Sequence, residues 1–322
     1  MDNSGTRCSQ KYIVKSAPPH RLDNERAILK TLGHQSGVRR LVDDIQNPPL
    51  LVLQYYDDNL LNYCRTKSVE GRELKTVAKT VLQALAALHN QGLVHTDVKP
   101  DNIFINYSDN PKIISEVALG DFGDTCHVGP NPDPNEDGHI IGAGIFRSPE
   151  AMLNLRWGPP TDIWSFGATL ISLIWGKGWH IFKPENVDLE DEKYPVYILI
   201  KQMNFFGPLP DKFTEIADEE RATMAMQLKG YVESMSSAQR KPFARAEDAV
   251  LTKETREFLC RIMKLDPRDR PTANQLLEDE CPRLYVVENN AGDTPTRVRS
   301  MTDPPSPNEG GIIVIDIDII TG

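Results

Sequence analysis

The chain has 322 residues, 39% of them apolar and 25% charged, and a formal net charge of −10. That length suits one large two-lobed domain or two ordinary ones, and the composition excludes wholesale disorder. The carboxylate surplus argues against nucleic acid as the main partner, because a phosphate backbone demands clustered Lys and Arg.

From the N-terminus, KYIVK (Lys11–Lys15) is short and β-branched, the pattern of a strand, and Ser-Ala-Pro-Pro breaks it. Arg21–Leu32 places apolar residues at Leu22, Ile28, Leu29 and Leu32 and is followed by Gly33 as a stop, which predicts a short helix. LLVLQYY (Leu50–Tyr56) predicts a buried strand. Between Glu73 and Gly92, residues Leu74, Val77, Ala78, Val81, Leu82, Leu85 and Leu88 form one apolar stripe of a helix that Gly92 ends. LVHTDVKPDNIFIN (Leu93–Asn106) then sets Asp97, Lys99 and Asn102 in a loop between apolar anchors, the second of them a short strand. Thr161–Gly176 is apolar nearly all round and predicts a helix buried in a large lobe. Residues 201–292 read as helices with polar breaks. The Pro- and Ser-rich stretch after Ala291 predicts a disordered tail over 291–322. Within it IIVIDIDII alternates like a strand but has no evident pairing partner, an aggregation hazard if exposed.

These elements divide the chain into a small strand-and-helix unit over 1–56, a larger helical unit over 57–290 and the tail. The five cysteines are odd in number and never in C-x-x-C spacing, which predicts free thiols in a reducing compartment. The first ten residues hold no apolar core and no apolar run approaches the ~20 residues of a membrane helix, so the expectation is a soluble cytoplasmic or nuclear protein without membrane contact.

The charged residues fall in an order that phosphoryl transfer asks for. A strand Lys (Lys15) can grip the α- and β-phosphates of a nucleotide if a helix Glu (Glu25) holds it. Asp121, in LGDFGD, offers a hard carboxylate to Mg²⁺, and Asn102 an amide oxygen to a second ion. Asp97 can accept a hydroxyl proton, and Lys99 can stabilise the phosphoryl group in transit.

YIVK, HTDVKPDN, DFG and SPE, in that order and spacing, resemble the strand lysine, catalytic loop, metal-binding turn and activation-segment end of the eukaryotic protein kinases. The resemblance spans about residues 11–283. It implies an α+β, two-lobed kinase fold with a small β-rich lobe of three strands and one helix and a large, mainly helical lobe. It also implies ATP and Mg²⁺ as co-substrate and cofactor, and transfer to Ser or Thr hydroxyls of proteins by a monomer. Adenine is expected at the backbone of Gln54 and Tyr56, and the ribose near Asp58 and Asn59. His95 and Asp162 are expected to be structural, as is a buried Glu150–Arg270 ion pair. FRSPEAML and FFGPLP resemble the group of cyclin-dependent, MAP and CDC-like kinases. HTD and DTCHV further resemble the SR-protein and CDC-like kinases, which implies basic or Arg/Ser-rich substrates, in keeping with the acidic balance.

Several positions depart from the family pattern. Thr96 replaces the Arg that commonly receives an activation-loop phosphate, and Thr125 and Ser148 are the only hydroxyl side chains between Asp124 and Glu150. An activation segment ordered without phosphorylation is therefore expected. Ala143 replaces a Thr that bridges the catalytic Asp and Lys, removing a bond worth ~1 kcal/mol. Only Gly5 stands where a G-x-G-x-x-G loop is expected, so a truncated small lobe is anticipated. The alternatives to an active kinase are a catalytically impaired kinase fold acting as a nucleotide-binding or docking module, and a fragment of an active kinase.

Overall fold

A computed structural model describes residues 8–108, 113–128, 139–279 and 312–319, with the backbone alone at 8–9, 279 and 312–319. Strand β1 (Cys8–Lys15) leads to helix α1 (Pro19–Leu32), which starts two residues earlier than expected. Proline lacks the N–H that a first helical turn leaves unsatisfied anyway, so the Pro-Pro step that ends the strand can also open the helix. Leu22, Ile28, Leu29 and Leu32 face the core, and Glu25 is buried among them. A hairpin follows, β2 (Leu41–Gln46) and β3 (Pro49–Gln54). β2 exposes Val42, Asp43, Ile45 and Gln46 and has no buried residue, so it shows no apolar-in, polar-out alternation to mark it as a strand.

The large lobe begins with β4 (Asp58–Asn59), α2 (Leu60–Tyr63), α3 (Gly71–His89) and β5 (Leu93–Val94). The apolar stripe of α3, from Leu74 to Leu88, is buried as the spacing predicted. Strands β6 (Ile103–Tyr107) and β7 (Ile114–Leu119) pair antiparallel, and β8 (Cys126–His127) pairs with β5. After the short α4 (Pro149–Met152) comes α5 (Pro159–Trp175), in which every side chain from Thr161 to Ile174 is buried. Helices α6 (Tyr194–Phe206), α7 (Glu219–Ser234), α8 (Lys253–Ile262) and α9 (Ala273–Asp279) complete the lobe. Arg270 joins Glu150 by two bonds of 2.6 and 2.7 Å, tying α4 to the segment before α9 through the buried ion pair that was expected.

The tail departs from expectation. Ile312–Ile319 forms β9, which pairs antiparallel with β1 from Cys8↔Ile319 to Lys15↔Ile312, giving the sheet order β2-β3-β1-β9. Strand β3 covers only Tyr12–Lys15 on its side of β1. The other edge of β1 offers a full row of backbone donors and acceptors, and the alternating C-terminal run takes it. A disordered tail over 291–322 is thus wrong for 312–319, while its parts over 291–311 and 320–322 lie outside the described residues.

Candidate active site

Lys15 closes β1 and donates to Glu25 of α1 (2.7 Å) and to Asp121 (2.8 Å). Burial works to lower the pKa of the Lys15 ammonium, but the two carboxylates outweigh it and hold it above its usual value. Burial likewise pushes Asp121 up, and Lys15 overrides it, so this carboxyl sits below the ordinary carboxylate range. Both groups stay charged at neutral pH. The second oxygen of Glu25 accepts from the Phe122 backbone N–H at 3.4 Å, so one buried carboxylate links the strand lysine to the turn bearing Asp121.

The loop of Asp97, Lys99 and Asn102 is held from beneath. The buried Asp162 of α5 accepts the backbone N–H of His95 (2.8 Å) and of Thr96 (2.9 Å), and meets His89 Nε2 at 2.9 Å. Thr96 has φ = 71°, a left-handed conformation that a β-branched residue adopts only when its surroundings impose it. Its hydroxyl donates to the Asp124 carbonyl at 2.9 Å. His95 donates through Nε2 to the Gly120 carbonyl (3.1 Å) and accepts the Asp97 N–H on Nδ1 (3.3 Å), which fixes its tautomer. His95 and Asp162 are thus structural, as expected.

On this platform Asp97 Oδ2 accepts from Asn102 Nδ2 (2.9 Å) and pairs with Lys99 Nζ (2.9 Å). Asn102 also donates to the Asp97 carbonyl at 2.8 Å. Both bonds use the amide nitrogen, so neither engages the amide oxygen. Burial acts to lower the pKa of Lys99, and Asp97 more than compensates, so the lysine titrates above its usual value. Gly142 packs against this loop: a Cβ there would stand 2.5 Å from the Thr96 carbonyl, and its φ of 53° lies in the left-handed region that favours glycine.

The other expected residues are placed as follows. Gln54 ends β3, and its carbonyl already accepts from Arg39 Nε at 2.9 Å. Tyr56 is buried and its hydroxyl donates to Glu116 (3.3 Å). Asp58 accepts from the Tyr107 hydroxyl (3.0 Å), and Asn59 caps α2 by accepting the Asn62 N–H (2.9 Å), so both side chains are engaged within the protein. Thr125 and Ser148 are buried, and Ser148 bonds Thr161 at 2.6 Å.

Two residues escaped the sequence reading. Asn24 Nδ2 donates to the carbonyls of Gly123 (3.0 Å) and Thr125 (2.8 Å), and Arg21 pairs with Asp124 at 2.7 Å. Together with Glu25 they fasten α1 to the segment that follows Asp121. The available signal was helical spacing, since Arg21 and Glu25 are four apart and share a face.

The sequence matches the protein kinase domain family over residues 6–281. It is 26% identical over 280 residues to the serine/threonine-protein kinase US3 homolog of varicella-zoster virus (strain Dumas), covering 84% of this chain and 66% of that protein. It is 28% identical over 247 residues to the serine/threonine-protein kinase ppk5 of Schizosaccharomyces pombe, covering 74% and 27%. With the mitogen-activated protein kinase pmk-1 of Caenorhabditis elegans it shares 26% identity over 300 residues, 89% and 72% of the two chains. The chain thus spans from about a quarter to two thirds of the length of the first of these relatives. The match over more than four fifths of the sequence, on a two-lobed α+β fold with these residues in place, makes the chain a member of the protein kinase family.

Proposed function

We propose that this chain transfers the γ-phosphoryl group of ATP to Ser or Thr hydroxyls of proteins. The observation that carries this reading is the placement of Asp97 between Lys99 and Asn102, on a loop whose neighbour Asp121 is held by Lys15 and Glu25. Asp97 orients the substrate hydroxyl and receives its proton, and Lys99 offsets charge on the phosphoryl oxygens. Lys15 holds the α- and β-phosphates. The carboxylate of Asp121 and the amide oxygen of Asn102 are hard oxygen donors of the kind Mg²⁺ takes, and Mg²⁺ bound there supplies charge neutralisation between the phosphates. Gln54 and Tyr56 are assigned to adenine and Asp58 to the ribose.

The net charge of −10 favours basic or Arg/Ser-rich protein substrates, and the soluble character expected from the sequence favours a monomer in the cytoplasm or nucleus. The buried state of Thr125 and Ser148, with Thr96 bonded to the Asp124 carbonyl, favours activity without activation-segment phosphate. The test is Mg²⁺-ATP phosphotransfer to an Arg/Ser-rich peptide by phosphatase-treated protein, with Asp97→Asn alongside. Phosphoserine or phosphothreonine formed only by the unmodified protein supports the reading, and equal signal from both refutes it. A second reading, an impaired kinase fold that binds nucleotide or a partner, draws on Ala143 and on Arg39 at the Gln54 carbonyl.

A further inference from the structure

Arg39 lies between Gly37 and β2, where the chain crosses from α1 into the hairpin. Its side chain does not leave the protein. Nε donates to the Gln54 carbonyl at 2.9 Å, and Cζ sits 4.2 Å from the ring centroid of Phe104, on β6 of the other lobe. The residue is only 7% exposed. Its backbone N–H donates to the Leu119 carbonyl (2.8 Å), and a Cβ on Gly120 would stand 2.8 Å from the Phe104 ring and 3.1 Å from Arg39 Cδ. The guanidinium therefore fills the seam between the lobes, on the Gln54 carbonyl, while its backbone is bonded to Leu119, two residues before Asp121.

Two further features set this arginine apart from a structural one. Among the described residues no carboxylate lies within 4.0 Å of it, so a buried cation stands without an ion pair. Burial lowers its pKa to about 10, with Glu25, Tyr56 and Asp121 opposing from farther off. A guanidinium has five donors in a rigid plane, and here only Nε is matched to a carbonyl. The remaining donors of Arg39 are not among the buried atoms left without a partner, so they reach solvent, and the group is held by fewer protein contacts than Arg270, whose donors meet Glu150 and three backbone carbonyls.

The two contacts Arg39 does make are those of a purine carrying an exocyclic amine: an N–H on the Gln54 carbonyl, and a flat π-system against an aromatic ring from below. We propose that Arg39 is an internal occupant of the base slot, which adenine must displace from the Gln54 carbonyl before a nucleotide can seat. Nucleotide affinity is then set by competition between the base and this side chain, and Arg39 acts as a built-in gate on the site. The inference rests on the assignment of Gln54 to the base, but not on phosphotransfer.

The test measures equilibrium binding of adenosine and of Mg²⁺-ATP, by calorimetry, to the whole chain and to Arg39→Val and Arg39→Gln. Adenosine carries no phosphate and so probes the base slot apart from Lys15 and Asp121. Arg39→Val should tighten both ligands on the order of tenfold, and Arg39→Gln, which keeps a donor for the carbonyl, by less. Unchanged or weaker binding of adenosine by Arg39→Val, or no binding by any of the three proteins, overturns the proposal. Tighter ATP with unchanged adenosine also overturns it, since the effect would then act through the phosphates. Neither substitution breaks an ion pair among the described residues, and Arg39→Gln keeps a donor for the Gln54 carbonyl, so each should stay folded. For that reason a variant that fails to fold also counts against the proposal. Loss of phosphotransfer with the predicted adenosine series intact would count against the kinase reading alone.

Discussion

Asn24→Ala removes the two hydrogen bonds by which α1 holds the backbone just after Asp121. The acceptors are the carbonyls of Gly123 and Thr125, at 3.0 and 2.8 Å, in a half-buried setting. Neutral bonds of this kind contribute ~1 kcal/mol each, so about 2 kcal/mol of restraint is lost. If all of it is expressed in the aim of Asp121, kcat/KM falls by about 30-fold, at 1.36 kcal/mol per decade. The neighbouring Arg21–Asp124 pair is partly exposed on both sides, at 31% and 49%, so Arg21→Ala should cost no more than ~1 kcal/mol. Asn24→Asp should be worse than Asn24→Ala, because a carboxylate cannot donate and would face two carbonyls beside Asp121 and Asp124. The assay is steady-state peptide phosphorylation across a Mg²⁺ titration, with melting temperatures in parallel. A merely structural Asn24 would lower the melting point without changing the Mg²⁺ requirement. Looser positioning of Asp121 should instead lower kcat and raise the Mg²⁺ concentration needed for half activity. The reasoning fails if Asn24→Ala stays within twofold of the original, or if Arg21→Ala costs more.

Further outcomes follow from other contacts. Glu150→Gln strands Arg270, whose side chain is fully buried, and should destabilise by ~3–5 kcal/mol, visible as a drop of roughly 10 °C in the melting temperature; a drop under about 2 °C would contradict the pairing. Ending the chain at Gly311 removes β9, the only register partner of Cys8–Lys11 among the described residues, so amide exchange over that stretch should rise toward the unprotected rate while the helices of the large lobe are unaffected; unchanged protection would contradict the β1–β9 pairing. The ion cluster also predicts two pH limbs. Asp121 titrates below its usual 3.8, so its contribution is present above about pH 4 and is lost as pH falls through the lowered value. Lys15 titrates above 10.5, so its contribution is complete below that pH and is lost as pH rises through the raised value. Lys15→Met should flatten both limbs of the stability–pH curve, and an unaltered curve would show that the cluster contributes nothing.

What the sequence revealed depends on how far apart the interacting residues lie. Asp97, Lys99 and Asn102 fall within six positions, and their chemistry could be read in place because the loop's apolar flanks declare its anchoring. The stripe of α3 and the predominantly apolar α5 were equally legible, since period and composition are local properties. Asn24 and Arg21 looked like solvent-facing polar positions of an amphipathic helix, and only the docking of α1 against the turn after Asp121 gives them partners about 100 residues away. Arg39 sits in a basic pair with Arg40 and reads as surface; the hairpin turns it onto Phe104, 65 positions later. β9 was recognisable as a strand by alternation, but strand pairing is non-local, and nothing in IIVIDIDII names a partner some 300 residues earlier.

The claim on which the rest depends is that Asp97 serves as the base for transfer from ATP. A single-turnover measurement with protein in excess over Mg²⁺-ATP, following labelled γ-phosphate into a Ser-containing basic peptide, tests it without interference from product release. The account predicts that Asp97→Asn, which keeps the contact with Lys99 but cannot take a proton, slows transfer by roughly 10²-fold or more while nucleotide binding is retained. Equal single-turnover rates for the two proteins would contradict it.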